Sequence, residues 1–294
     1  MQADVLTKVI LPLSLFLIMF GIGISLKLAD FKNILVYPKA VVIGLFGQLI
    51  LLPVIAFILG LLFKLPAELA VGLMIIALAP GGATSNMFTY LFKGDVSLSL
   101  SLTVLTSFIT LFTIPLLASL SMLYFMESST EFELPVVKTI IQLLVITVIP
   151  IALGMFALHK KPVLAKKIES VLKWFSIFFL FLIIALIILK NADNMLSFFA
   201  QAGMATLVLN IVVLFLGYQI GNWTKLNHKQ SICIGFEVGI QNGTLALVVA
   251  GTLIGNNTMM IPAVTYSILM FITGAIFGWL IKNTRESAAC VDYS

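Results

Sequence analysis

One glutamate, Glu237, lies in the middle of an apolar segment that runs from about Ser231 to Ile254. A charged side chain at bilayer depth costs roughly 2.5 to 3.5 kcal/mol on insertion scales, so it persists where a cavity, a proton or a cation stabilises it. The residues after it, Val238-Gly239-Ile240-Gln241-Asn242-Gly243-Thr244, bracket a Gln-Asn pair with glycines. Glycines relax a helix, and an unwound turn there would set carbonyl oxygens beside the carboxylate. Carboxylate, amide and carbonyl oxygens together are what a hard cation needs in place of its water shell. The structural alternative is a glutamate facing a bundle interior, paired with Asn or Ser as interhelical glue.

A second cluster lies far upstream, at Ala79-Pro80-Gly81-Gly82-Ala83-Thr84-Ser85-Asn86. Proline removes an amide donor and the glycine pair relaxes the backbone, so this segment should break into two half-helices near Pro80. A packing kink alone would not require three polar side chains, Thr84, Ser85 and Asn86, directly after it. The helix breaks are therefore placed at Pro80, Gly81 and Gly82 and at Gly239 and Gly243. The segment that follows the first break is rich in hydroxyls. Ser99, Thr103, Thr106 or Ser107, and Thr110 recur every three or four residues and share a face. Each could simply bond its own helix carbonyl, but a full stripe beside a broken helix reads as a cavity lining. Gln48 is a further isolated amide in an apolar run.

These residues need a frame. The 294-residue chain is 61% hydrophobic and 10% charged, with mean hydropathy +1.17, which excludes a soluble domain and indicates an all-α polytopic membrane protein. A crossing needs about 20 apolar residues. Nine transmembrane helices satisfy that, at 9–26, 40–63, 67–92, 96–125, 136–158, 170–189, 197–221, 230–254 and 259–281. The net charge of +5 is scattered singly through short loops, a topogenic pattern rather than a nucleic-acid surface. With the N-terminus outside, the inside loops carry Lys27, Lys32, Lys39, Lys93, Lys160, Lys161, Lys166, Lys167, Lys225, Lys229, Lys282 and Arg285. The outside holds Lys8, Lys64, Lys138 and Lys190, with Glu127, Glu131 and Glu133 in one loop. The C-terminus is then cytoplasmic. Cys233 and Cys290 form no disulfide framework, and no cleavable signal peptide is evident.

The third and eighth spans run in opposite directions and each carries a break ending in an amide, at Ser85-Asn86 and Gln241-Asn242. Paired interruptions of this kind point to an inverted-repeat transporter with two broken crossing helices. The first repeat would occupy 9–125 with four spans and the second 136–281 with five. On that pairing an ancestral N-terminal span is expected to be missing from the first.

Pro80-Gly81-Gly82-Ala83-Thr84-Ser85-Asn86, Lys93-Gly94-Asp95-Val96-Ser97-Leu98-Ser99 and Glu237-Val238-Gly239-Ile240-Gln241-Asn242 closely resemble the bile acid:sodium symporter family. Phe20-Gly21-Ile22-Gly23-Ile24-Ser25-Leu26-Lys27 is similar to its early signature, so the resemblance covers nearly the whole chain. It implies two sodium ions, transported rather than structural. The first would be held by Ser85, Asn86, Ser99, Thr103 and Glu237. The second would take Gln48, Glu237, Gln241 and the backbone oxygens of Val238 and Ile240. The resemblance also implies a core from 40–125 and 197–281 and a panel from 9–26 and 136–189. Two departures stand out: the extra N-terminal span of the ten-helix form is lacking, and Ala83 follows Pro-Gly-Gly where Thr or Ser is common.

The expected function is sodium-coupled symport of an organic anion, bile-salt-like or a small carboxylate, by alternating access. The substrate would meet Gly82, Ala83, Thr84, Asn242 and Gly243. No obligatory protein partner is evident, and a bacterial inner membrane is the expected location. Proton coupling through Glu237 is the alternative transporter, and a non-transporting sensor of the same fold the alternative class. An enzyme is not expected, since no second acid, His-containing metal motif or activated serine lies at membrane depth.

Overall fold

The computed structural model describes residues 5–27, 35–126, 135–190 and 192–291, and among them helix is the regular structure apart from one isolated bridge. In chain order the helices are α1 (Lys8–Ser25), α2 (Pro38–Leu62), α3 (Ala67–Leu78), α4 (Ala83–Leu91), α5 (Val96–Phe125) and α6 (Val136–Lys160). They continue as α7 (Pro162–Lys190), α8 (Ala192–Trp223), α9 (His228–Gly239), α10 (Gly243–Ile254) and α11 (Ile261–Val291). Seven of these, α1, α2, α5, α6, α7, α8 and α11, contain a stretch long and apolar enough to cross a membrane. Their outward faces are apolar: Val42, Phe46, Ile50, Val54 and Ile58 form an exposed stripe along α2 at four-residue spacing. Ser99, Thr103, Thr106 and Glu237 are fully buried. Apolar outside and polar inside is the pattern of a multi-pass membrane protein. The loop acids Glu127, Glu131 and Glu133 and the base Lys32 lie outside the described residues, as do the side chains of Lys190, Arg285 and Cys290.

The four short helices come in two interrupted pairs. α3 stops because Ala79 precedes Pro80 and is pushed into extended backbone, at φ −67° and ψ 147°. α4 restarts after Gly82. The second break has no proline. Ile240 turns extended at φ −113° and ψ 105°, and the Asn242 side chain restarts α10 by accepting from Leu245 N at 3.0 Å. The two breaks meet in an antiparallel bridge between Gly81 and Gln241, with Asn242 N donating to the Pro80 carbonyl at 2.8 Å. Each interrupted pair thus supplies backbone partners that the other lacks.

The glycines at the breaks serve a different purpose from backbone freedom. Among described glycines, positive φ occurs at Gly255 alone. A Cβ on Gly239 would run into Leu214, and one on Gly243 into the Ser267 hydroxyl, so both positions are needed for close approach. The same holds where α8 meets α9. A Cβ on Gly217 would come within 3.2 Å of Gly235 Cα, and one on Gly221 within 2.8 Å of Ser231 Cα. This small-residue seam lets the half-helix carrying Glu237 lie flush on α8.

α1 packs chiefly on α6 and α7, while α8 packs on α9 and α11, and α3 on α5 and α11. The α1–α6 contact is again backbone to backbone. A Cβ on Gly23 would lie 2.8 Å from Ile151 Cα, and one on Gly154 2.7 Å from Ile24 N. Gly154→Val is therefore expected to force these helices apart at a cost of about 1–3 kcal/mol, seen as a lower melting temperature in detergent. An unchanged melting point would show that the seam is looser than its geometry.

Candidate functional site

Glu237 sits two residues before the end of α9 with no exposed surface. Its carboxylate accepts three hydroxyls from the other broken pair and from α5. Ser85 donates to Oε2 at 2.9 Å, Ser99 to Oε2 at 3.0 Å and Thr103 to Oε1 at 2.5 Å. The Asn86 side-chain oxygen joins the cluster, accepting from Ser99 at 2.6 Å and Thr103 at 3.3 Å. Ser85 also accepts from Gly82 N at 3.1 Å, which ties its position to the break. Gly81 leaves the space for the carboxylate: a Cβ there would lie 2.7 Å from Glu237 Cδ.

A cluster of this composition can hold a hard cation. The atoms that hydrogen-bond around Glu237 are oxygens, one carboxylate supplies the charge, and hydroxyls can turn their protons away to present lone pairs. Among the described residues no group of three His, Cys, Asp or Glu side chains occurs, which excludes the usual transition-metal arrangements there.

The second predicted set gathers beside it. Gln48, on the π-helical turn Gly47–Leu51 of α2, donates through Nε2 to the Ala79 carbonyl at 2.7 Å and to Gln241 Oε1 at 2.8 Å. Gln241 in turn donates to the Val238 carbonyl at 2.6 Å. The π turn adds a residue and re-aims the side chain. Ile240 lies in the extended link, its amide donating to the Phe236 carbonyl at 2.8 Å. The hydrogen bonds of the Glu237 carboxylate go to the first set and none to Gln48 or Gln241.

The hydroxyl stripe on α5 divides where the sequence treats it as one lining. Ser99 and Thr103 reach the carboxylate, but Thr106 donates to the Leu102 and Thr103 carbonyls at 2.8 and 3.1 Å, and Thr110 to that of Ser107 at 3.2 Å. Thr106 and Thr110 thus satisfy themselves locally, whereas the Ser107 hydroxyl is buried without a hydrogen-bond partner.

The five predicted substrate residues do come together. Gly82, Ala83, Thr84, Asn242 and Gly243 line a small cavity of about 30 Å³ where the N-termini of α4 and α10 converge. A larger cavity of about 470 Å³ shares Ile18, Ala83, Thr84 and Ser176 with it and extends past Ile22, Leu100 and Leu172 to Ser25, Tyr90 and Glu169. Ser25 donates to Glu169 at 2.9 Å at that far end. Asn242 spends its side-chain oxygen on capping α10, and its Nδ2 is buried without a hydrogen-bond partner. An unpaired buried donor beside two helix N-termini is set up for an anion.

One group escapes the sequence reading. Asn210 on α8 donates to the Gly239 carbonyl at 2.6 Å, and Tyr266 on α11 donates to the same oxygen at 2.9 Å. Thr273 donates to the Asn210 side-chain oxygen. The signal is present in the sequence, since Asn210 is an isolated amide in an apolar run just as Gln48 is.

Residues 12–198 match the profile of the Sodium Bile acid symporter family. The chain is 29% identical over 281 residues to an uncharacterized sodium-dependent transporter of Bacillus subtilis (strain 168), across 92% of this chain and 83% of that one. It is 30% identical over 243 residues to the hepatic sodium/bile acid cotransporter of Rattus norvegicus, across 81% and 66% of the two chains. With a probable chloroplastic sodium/metabolite cotransporter of Oryza sativa subsp. japonica the identity is 27% over 265 residues, across 90% and 64%. The chain thus spans just under two thirds of the rat and rice proteins.

Proposed function

We propose that this chain, which belongs to the Sodium Bile acid symporter family, imports an organic anion together with two sodium ions through the crossing of its broken helices. Members of the family are transporters, not enzymes. The observation that carries the proposal is the buried Glu237 carboxylate, ringed by Ser85, Ser99, Thr103 and Asn86 where the two breaks pair. One ion takes that ring. The other takes Gln48, Gln241 and the Val238 and Ile240 carbonyls, with Glu237 shared between them. Two cations against one carboxylate leave a positive site, and the N-termini of α4 and α10 add to it, so an anion bound beside Thr84 and Asn242 neutralises the charge. A monoanion with two sodium ions carries one net charge, which couples uptake to membrane potential at about 2.3 kcal/mol per 100 mV.

Counting each interrupted pair as one crossing makes nine spans, and several details support the inverted repeat. α2 is followed by Lys64 at φ 48°, with Leu65 N donating to Gly60 O at 3.1 Å; α8 is followed by Lys225 at φ 57°, with Leu226 N donating to Gly221 O at 2.9 Å. Gly81 and Gln241, each two residues past the carbonyl held by an amide of the preceding long helix, Ala79 and Gly239, form the bridge. The packing of α1 on α6 and α7 supports a panel separate from the remaining core, and alternating access follows from one moving against the other. With the N-terminus outside, the 470 Å³ cavity lies toward the cytoplasm, and its volume falls in the range that holds drug-sized ligands, which favours a bile-salt-sized anion over a small one. A bacterial cell membrane is the proposed location.

Proteoliposome uptake tests this. Anion accumulation should need an inward sodium gradient and increase with an inside-negative potential; accumulation driven by a proton gradient in potassium alone would overturn it. Asn242→Ser keeps a capping oxygen for α10 but removes the unpaired Nδ2 donor, and should raise the KM for the anion about tenfold, leaving the sodium midpoint of thermal stabilisation in place.

A further inference from the structure

The carbonyl that ends the first half-helix of each interrupted pair is held by an amide from the preceding long helix. In the first half this is Gln48 on the Ala79 carbonyl, and in the second Asn210 on the Gly239 carbonyl. Gln48 lies 60 − 48 = 12 residues before Gly60, and Asn210 lies 221 − 210 = 11 before Gly221, the glycines whose carbonyls accept from Leu65 and Leu226. The π turn at Gly47–Leu51 absorbs the extra residue. One device is therefore built twice, but the copies differ in what the amide does next. Gln48 also bonds Gln241, whereas the Asn210 oxygen accepts from Thr273 and the Gly239 carbonyl takes a second donor, Tyr266.

That difference matters at the break. Carbonyls in the last turn of a helix lack amide partners, so those of Val238 and Gly239 must find others. The amides four residues on are diverted, Asn242 N to Pro80 O and Gly243 N to Gln241 O. Gly239 is satisfied twice, from α8 and α11. Val238 accepts from the movable Gln241 side chain.

We infer that Asn210, Tyr266 and Thr273 are positioning residues for sodium: by pinning the Gly239 carbonyl between α8 and α11, they hold the flanking Val238 and Ile240 carbonyls toward the second ion. This rests on the two-ion symport reading. Removing a donor frees the Gly239 peptide to rotate, and rotation re-aims both neighbours.

The test is the sodium midpoint of thermal stabilisation in purified protein, with the melting temperature in choline as the measure of fold alone. Tyr266→Phe keeps the ring and loses one hydroxyl; it should raise the sodium midpoint about fivefold. Thr273→Val should act in the same direction, and Thr273→Ser should restore the wild-type midpoint. Asn210→Ala should give the largest shift, about tenfold or more. In choline, Tyr266→Phe should melt within a few degrees of wild type. Sodium midpoints unchanged in Tyr266→Phe and Thr273→Val would overturn the inference. So would a fall in choline melting that accounts for the whole effect, since that marks a packing role. Tyr266→Phe decides the matter if Asn210→Ala does not fold. Absence of any sodium-specific midpoint in the unmodified protein would defeat the symport reading itself and is told apart by that control.

Discussion

Glu237→Gln is expected to abolish both the sodium-specific thermal stabilisation and sodium-driven uptake while leaving a folded bundle. The substitution keeps the side chain's volume, and its amide oxygen can still accept from Ser85, Ser99 or Thr103, which reach the native carboxylate at 2.9, 3.0 and 2.5 Å. What it removes is the one charge that makes this ring of neutral oxygens attractive to a cation. An ion bound at a hundredfold excess over its Kd stabilises the wild type by about 2.7 kcal/mol, and that increment should disappear. The sign reverses without the ion. A buried carboxylate satisfied only by hydroxyls is costly at bilayer depth, so in choline the Gln variant should melt at or above the wild-type temperature. Melting curves in sodium and in choline for both proteins check the two halves together. A Gln variant that still shows a sodium-specific shift would remove Glu237 from ion binding and leave it a packing group.

Much of this architecture is legible in the sequence, because the signals are local and membrane depth makes them stark. Ala79-Pro80 stops a helix by backbone sterics that need no tertiary context, and a lone Glu237 between apolar residues has few explanations. The second break is also visible, but for a reason the sequence misassigns. Gly239 and Gly243 read as flexible joints, whereas they are places where Leu214 and Ser267 crowd the backbone. Crowding comes from α8 and α11, more than 20 residues away on either side, and no local pattern encodes it. The α5 hydroxyls fail in the same way. Their three-and-four spacing places Ser99, Thr103, Thr106 and Thr110 on one face, but only the crossing point of α9 decides which of them reach Glu237. Asn210 is the opposite case: its signal equals that of Gln48, and what hides it is that its partner is a backbone carbonyl, which sequence does not mark.

Gly81→Ala should cripple sodium binding almost as severely as loss of the carboxylate, although residue 81 supplies no side-chain ligand. A methyl group there would run into Glu237 Oε1 and lie 2.7 Å from its Cδ, closer than atoms in contact can sit, and a tight 3.1 Å from the Ser85 hydroxyl. Residue 81 cannot retreat, since it is bridged to Gln241 and its neighbour Pro80 holds Asn242 N at 2.8 Å. The carboxylate must therefore swing away from Ser85 and break the ring. Overpacking of this kind costs about 1–3 kcal/mol, which converts to a rise in the sodium midpoint of up to about a hundredfold if the strain falls on the bound state. The collision is with one side chain, and that makes the prediction separable from general damage. In a Glu237→Ala background the methyl group has room, so adding Gly81→Ala should change the choline melting temperature little. A double-mutant cycle on the choline melting temperatures measures the coupling, and strong non-additivity is the expected result. Additive losses would mean that the added methyl group disturbs the pairing of the two breaks instead. The glycine would then belong to the bridge between α3–α4 and α9–α10 rather than to the ion.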